Sequence, residues 1–278
     1  LLNSENNTKN AGHAGTVMRF LCAYYSIQPG EILLTGSDRM KNRPIEKLVD
    51  ALRLIGANIE YVEKIGFPPL SIKGRKLTGG KISIDSGISS QYISALMMIG
   101  SSLENGLEIE LKGDTISSSY IDLTLGLLKQ TGVKAHRKDK IISINKSEFI
   151  DLEMAVEADW SSASYWFSIV GLRKDLEIIL PGLSEKRLQG DAEIRNIFSD
   201  LGVESHFTIE GLVLSPINPE LNSFEYDFRD NPDMVQTLIP YCIAKDIPFY
   251  FSGCRSLRIK ETDRVLALAT ELGKFGVN

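Results

Sequence analysis

The sequence predicts a mixed α/β (α+β) fold built by repetition, and three regularities point to it. First, a helix with a Leu/Ile stripe that ends in Gly and then a small apolar residue occurs four times, closing at Gly56, Gly132, Gly202 and Gly276, at intervals of 76, 70 and 74 residues. Second, four strongly apolar helices open on Thr16, Ser89, Ser161 and Asp233, spaced by 73, 72 and 72 residues. Third, each apolar helix runs into an extended stretch, so the two segment types interleave as roughly β-α-β-α-β-β. A period of about 72 residues exceeds the ~20–50 of common solenoids, and the 278 residues hold about four periods.

Along the chain, the stretches Thr16–Leu34, Ser89–Leu111, Ser161–Leu180 and Asp233–Phe251 each read as helix then strand. Their helices are apolar nearly all round, as in Tyr92-Ile93-Ser94-Ala95-Leu96-Met97-Met98-Ile99, which places them at the centre of their domains. The second helix type is amphipathic: Ile45, Leu48, Val49, Leu52 and Ile55 follow the i, i+3, i+4, i+7 rhythm of one buried face, which places these helices outside. Pro44 suits the first helical turn, and each closing Gly suits a left-handed C-cap. Ser, Thr and Asp are ordinary helix caps. At the start of a buried helix they also stand beside free N–H groups that can hold phosphate or carboxylate.

Composition narrows the function. With 43% hydrophobic and 24% charged residues the chain is of a globular class, and 31 Lys+Arg against 36 Asp+Glu give −5, no basic field for nucleic acid. Cys22, Cys242 and Cys254 lack CxxC spacing and read as reduced cytosolic thiols. Neither an 18-residue apolar run nor a signal peptide is present, which predicts a cytoplasmic protein free of membrane. The chain opens on Leu1 and stops after a helical pattern at Val277, which reads as a piece of something longer.

Taken singly, the polar motifs have plain explanations. Leu257-Arg258-Ile259-Lys260-Glu261-Thr262-Asp263-Arg264 reads as a solvated helix start capped by Thr262 or Asp263. Gly36–Lys41 and Asp230–Asp233 are turn-like, and His13 is a loop residue. Together they are collinear with a known pattern: Ala14-Gly15-Thr16-Val17-Met18-Arg19, Arg39-Met40-Lys41-Asn42-Arg43-Pro44-Ile45, Ser89-Ser90-Gln91-Tyr92, Ser119-Tyr120-Ile121-Asp122, Asp159-Trp160-Ser161-Ser162-Ala163-Ser164-Tyr165, Pro232-Asp233 and the Lys260–Arg264 run. On these motifs, which span nearly the whole chain, the sequence resembles the 5-enolpyruvylshikimate-3-phosphate (EPSP) synthase family of enolpyruvyl transferases. The Lys-Glu-Thr-Asp-Arg and Ser-Ser-Gln runs are its specific elements. His13, Phe20, Trp160 and Ser256 depart from the family pattern, where Asn, Pro, a small residue and Asn are usual.

The resemblance implies an inverse α/β barrel of six such units in two similar domains with a cleft between. Here that gives residues 1–158 and 159–278, each incomplete with about two repeats, about one unit lacking before Leu1 and one after Asn278. It implies transfer of the enolpyruvyl group of phosphoenolpyruvate to the 5-hydroxyl of shikimate 3-phosphate, releasing phosphate, in aromatic amino acid biosynthesis. By this reading Gly15, Arg39, Gln91 and Arg264 bind phosphoenolpyruvate. Ser89, Ser90, Gln91, Ser117, Tyr120, Asp233, Ser256 and Lys260 bind shikimate 3-phosphate. Asp233 is the base, Glu261 the acid, and Lys260 completes the catalytic group. No cofactor and no metal are implied, and the expected partners are the two small substrates, with the protein a monomer. Two other readings stand beside it: a UDP-N-acetylglucosamine enolpyruvyl transferase, which typically uses a loop cysteine as acid, and a non-catalytic anion-binding fragment. The 278 residues alone are expected to be inactive or nearly so.

Overall fold

The computed structural model describes residues 7–87, 89–113, 118–186, 188–219 and 221–277. The chain divides into two compact units, residues 1–152 and 153–278, each with its own apolar core.

Unit 1 contains the β-α-β-α-β-β order twice. The first copy runs β1 (Thr8–Asn10), α1 (Gly15–Ile27), β2 (Gly30–Thr35), a short α2 (Asp38–Lys41), α3 (Glu46–Leu54), β3 (Asn58–Tyr61) and β4 (Leu70–Gly74). The second runs β5 (Gly80–Asp85), α4 (Ser90–Gly100), β6 (Leu107–Lys112), α5 (Ser118–Gln130), β7 (Ala135–Lys138) and β8 (Ile141–Ile144). Both sheets have the same topology, β1-β2-β4-β3 and β5-β6-β8-β7, with the first pair parallel and the other two antiparallel. Two copies of one pattern at the predicted spacing account for the period.

Unit 2 holds α6 (Trp160–Leu172), β9 (Ile178–Leu180), α7 (Ile194–Leu201), β10 (Val203–Phe207) and β11 (Leu212–Pro216). It continues through β12 (Phe224–Asp227), α8 (Val235–Ala244), β13 (Phe249–Ser252) and α9 (Arg264–Gly273). Single 3-10 turns precede α7 (Gly190–Glu193), α8 (Pro232–Met234) and α9 (Cys254–Ile259). The third copy departs from the pattern, because no strand precedes α6 among the described residues. Its sheet is β10-β11-β9, and β12 pairs in parallel with β13.

The four closing glycines all take positive φ: 102° at Gly56, 85° at Gly132, 108° at Gly202 and 78° at Gly276. After three of these helices the next amide reaches back five residues: Ala57 to Leu52, Val133 to Leu128 and Val277 to Leu272. That bond is the outer one of a Schellman cap, and only Gly enters the left-handed region without a Cβ penalty. Pro44 stands just before Ile45, the N-cap of α3, instead of inside the first turn.

The apolar helices of unit 1 are central as expected. α1 packs on α4, which is buried at most positions from Ser90 to Gly100. α3 and α7 bury one face each, through Leu48, Val49 and Leu52 and through Ile194, Phe198 and Leu201. The central placement fails for one side of α6, where Tyr165, Trp166, Ile169 and Leu172 are 42–49% exposed. Trp160, Phe167 and Val170 on its other side are buried against α7 and α8.

Candidate active site

Each unit gathers one group of the anticipated residues. In unit 1 the group forms where α1 and α4 begin. Gly15 opens α1 behind Ala14 and Ser89 stands at the N-cap of α4, and neither N-cap side chain makes a capping bond to its helix start. The two starts adjoin: a Cβ built on Gly15 would stand 3.0 Å from Gln91 Oε1, 2.9 Å from Arg43 Nη1 and 3.1 Å from Arg19 Nη1. The φ of Gly15 is ordinary, so what Gly provides here is the close approach of these side-chain tips to the backbone. Two helix N-termini and two guanidinium groups meeting at one backbone position make a local field that favours an anion.

Arg19 and Arg43 are both buried, 3% and 7% exposed. Arg19 donates to the carbonyls of Gly15 at 3.3 Å and Pro44 at 3.1 Å, and to Met40 Sδ at 3.4 Å. The Tyr92 hydroxyl donates to the same Pro44 carbonyl at 2.5 Å. Burial pulls the Arg19 pKa below its ordinary value, Tyr92 opposes the shift, and the like charge of Arg43 adds to it. The sequence alone assigns neither arginine a role of its own. Their signal was present in the motifs that contain them, Gly15–Arg19 and Arg39–Pro44.

The other unit 1 residues lie on the same scaffold. Arg39 is exposed on α2, whose Met40 is buried and whose N-cap Ser37 donates its amide to the Gly12 carbonyl in the loop leading to α1. Ser90 is buried and Ser89 half-buried at the start of α4. Tyr120 sits on α5, which is tied to α4 by a 2.8 Å hydrogen bond between Ser94 Oγ and Thr124 Oγ1. Ser117 lies outside the described residues.

In unit 2 the carboxylates and cations come together. Asp233, on the 3-10 turn before α8, faces Arg264 at the start of α9: Arg264 Nη1 donates to Asp233 Oδ1 at 2.5 Å and Nη2 to Glu261 Oε2 at 3.2 Å. Lys260 Nζ is 3.7 Å from the same Asp233 oxygen. Burial works against the charge of Arg264, but Asp233 and Glu261 outweigh it and raise its pKa. Asp263 caps α9, accepting from the Leu266 amide at 3.1 Å, so the run is a helix start and a charge cluster at once. Ser256 is 9% exposed, and its hydroxyl lacks a hydrogen-bond partner among the described residues. Its turn is set by Gly253 at φ 76°, where a Cβ would overlap Asp227 and the Arg229 amide.

Comparison with known proteins identifies the family. A model of the EPSP synthase (3-phosphoshikimate 1-carboxyvinyltransferase) family matches residues 1–278. The chain belongs to the EPSP synthase family. It is 47% identical over 264 residues to a 3-phosphoshikimate 1-carboxyvinyltransferase of Bacteroides fragilis, covering 95% of this chain and 64% of that protein. It is 38% identical over 268 residues to the Colwellia psychrerythraea protein of the same name, covering 95% and 62%. A solved EPSP synthase from Acinetobacter baumannii shares the fold, with TM-score 0.72 and 22% identity over 98% of this chain and 62% of that one. The chain thus spans under two thirds of the length of these EPSP synthase relatives. No helix among the described residues is long and apolar enough to cross a membrane.

Proposed function

We propose that a protein carrying this chain at the length of its curated relatives transfers the enolpyruvyl group of phosphoenolpyruvate to the 5-hydroxyl of shikimate 3-phosphate. The observation that carries the reading is the cluster of Asp233, Lys260, Glu261 and Arg264 around a shared set of contacts, in a chain of this family. The proposed protein is a cytoplasmic monomer, and the boundary between its domains falls near Asp159. The 278 residues alone are inactive or nearly so.

In this mechanism a proton adds to the methylene carbon of the donor and the acceptor hydroxyl attacks the adjacent carbon, giving a tetrahedral adduct. The C–O bond to phosphate then breaks and the new methyl group returns a proton, restoring the double bond. Asp233 takes the hydroxyl proton. Arg264 and Lys260 stand against its carboxylate. Glu261 delivers the proton to carbon. Arg264 Nη2 also contacts Glu261 Oε2, so a donor carboxylate or phosphate held by this guanidinium competes with Glu261 for it.

Gly15, Arg39, Gln91 and Arg264 bind the donor, with Arg19 and Arg43 supplying fixed positive charge behind Gly15. Ser89, Ser90, Gln91, Ser117, Tyr120, Asp233, Ser256 and Lys260 bind the acceptor. The orphan hydroxyl of Ser256 suits a ring hydroxyl, since a buried donor left unmatched costs ~1–3 kcal/mol. The UDP-N-acetylglucosamine reading fits less well. Cys22 lies fully buried within α1, and burial pushes its thiol up to about 12, far from a loop acid.

Phosphate release measured with phosphoenolpyruvate and each acceptor separates the readings. Release is expected with shikimate 3-phosphate. Release with UDP-N-acetylglucosamine alone reverses the choice, and release with neither leaves only anion binding.

A further inference from the structure

The turn Gln189-Gly190-Asp191 puts a carboxyl inside unit 2, next to the catalytic cluster. Asp191 is 3% exposed. Ser161 Oγ, from the first turn of α6, donates to Asp191 Oδ2 at 2.5 Å. Asn231 Nδ2 donates to the Gly190 carbonyl at 2.9 Å and reaches Asp191 Oδ1 at 3.4 Å. The Tyr226 hydroxyl donates to Asn231 Oδ1 at 3.1 Å, which fixes the direction of the amide. Asn231 itself is 5% exposed and stands at the N-cap of the 3-10 turn that carries Asp233, its backbone carbonyl accepting from the Met234 amide at 3.1 Å. A continuous set of hydrogen bonds therefore runs from α6 through Asp191 to the residue two before Asp233.

We propose that Asp191 is a positioning residue for Asp233: through Asn231 it fixes the turn that presents the Asp233 carboxylate to Arg264 and Lys260. The inference rests on the reading of Asp233 as the base. Only a carboxylate accepts from both Ser161 and Asn231. An amide at 191 has a single acceptor oxygen: kept on Ser161 it turns its NH2 toward the NH2 of Asn231, and flipped onto Asn231 it gives up Ser161 as a donor, so either orientation breaks the double acceptance.

Fold stability at neutral pH is not what Asp191 supplies. Burial holds its carboxyl above the usual carboxylate range; the Ser161 and Asn231 hydrogen bonds pull it back, while Asp233 and, more weakly, Asp159 push it further up. A carboxyl raised on folding costs nothing below its unfolded pKa and destabilises the fold as pH rises through the raised value. Asp191→Asn should therefore remove that ionisation penalty at pH 7, offsetting the hydrogen bond it loses. Across the turn, Asp233 faces Arg264 and Lys260, so a looser turn changes which of these cations it meets.

The test compares Asp191→Asn and Asn231→Ala with the unaltered protein at the length of its relatives, reading kcat, KM for both substrates and thermal unfolding at pH 7. Misplacement of a catalytic group costs on the order of 10–100-fold in kcat. We expect that loss in both variants, KM for phosphoenolpyruvate within about twofold, and an Asp191→Asn midpoint no lower than the parent's. Wild-type kcat in both variants, or a loss of activity that only tracks a lowered midpoint, overturns the inference. Should Asp191→Asn not fold, the penalty argument is wrong and Asn231→Ala alone decides the positioning role. An unaltered protein that releases no phosphate from the two substrates overturns the functional reading instead, a result distinct from either.

Discussion

Arg264 and Asp233 meet through a 2.5 Å contact between Nη1 and Oδ1, although they are 31 residues apart in sequence, with α8, β13 and a 3-10 turn between them. The same guanidinium reaches Glu261 with its other nitrogen, so one planar fork spans both proposed proton carriers. Lys has one point charge and cannot reproduce that geometry. Arg264→Lys should therefore raise KM for phosphoenolpyruvate roughly 10–100-fold, the value of one or two charge-assisted hydrogen bonds of ~1.5–3 kcal/mol. Asp233→Asn should instead lower kcat by about 10²–10⁴, the range for loss of a general base. Steady-state kinetics of both variants check the division; an Arg264→Lys enzyme with unchanged KM contradicts it.

A methyl group on Gly15 fits only if the side chains around it shift. Its Cβ would fall 2.9 Å from Arg43 Nη1 and 3.0 Å from Gln91 Oε1, and both belong to side chains that must shift to admit it. Gly15→Ala should weaken phosphoenolpyruvate binding roughly tenfold or more with little change in the unfolding midpoint, because the backbone there is ordinary for Ala. Calorimetric titration of the donor gives the first quantity and a thermal melt the second.

Gly202 tests the repeat architecture apart from any chemistry. At φ 108° and with Pro219 Cδ 3.0 Å from a built Cβ, Ala there meets both backbone strain and a clash. Gly202→Ala should destabilise unit 2 by about 1–2 kcal/mol, read as a lower denaturant midpoint with an unchanged slope.

Cys22 and Cys242 are fully buried, with burial pushing their thiols up to about 12 and about 11. The thiolate is the reactive form, so neither should react with iodoacetamide at pH 8 until the protein unfolds. Mass spectrometry of peptides after labelling in buffer and in denaturant reads this directly. Rapid loss of activity through Cys22 in the folded protein would instead favour a cysteine acid.

The repeat was legible because its signals are local. A left-handed cap favours Gly wherever it falls, and the three intervals between the four glycines could be counted. The change from all-round apolar to one-sided helices sorted inner from outer correctly in unit 1. It misjudged α6, since a sequence stripe through Tyr165, Trp166, Ile169 and Leu172 cannot say whether a neighbour covers it. Asp233, Lys260, Glu261 and Arg264 were legible by resemblance, and their contacts then followed from the fold. Arg19, Arg43 and Asp191 were not singled out. Their importance lies in burial and in partners tens of residues away, such as Asp191 with Ser161 and Asn231, which no spacing rule reports.

The central claim, that Glu261 passes a proton to the donor's methylene carbon, is tested most directly in deuterium oxide. With both substrates and the protein at the length of its relatives, deuterium should enter the methylene group, because the methyl of the adduct forms with one solvent-derived hydrogen and can lose another. Glu261→Gln should show almost no incorporation, while incorporation at the wild-type rate in that variant would contradict the account.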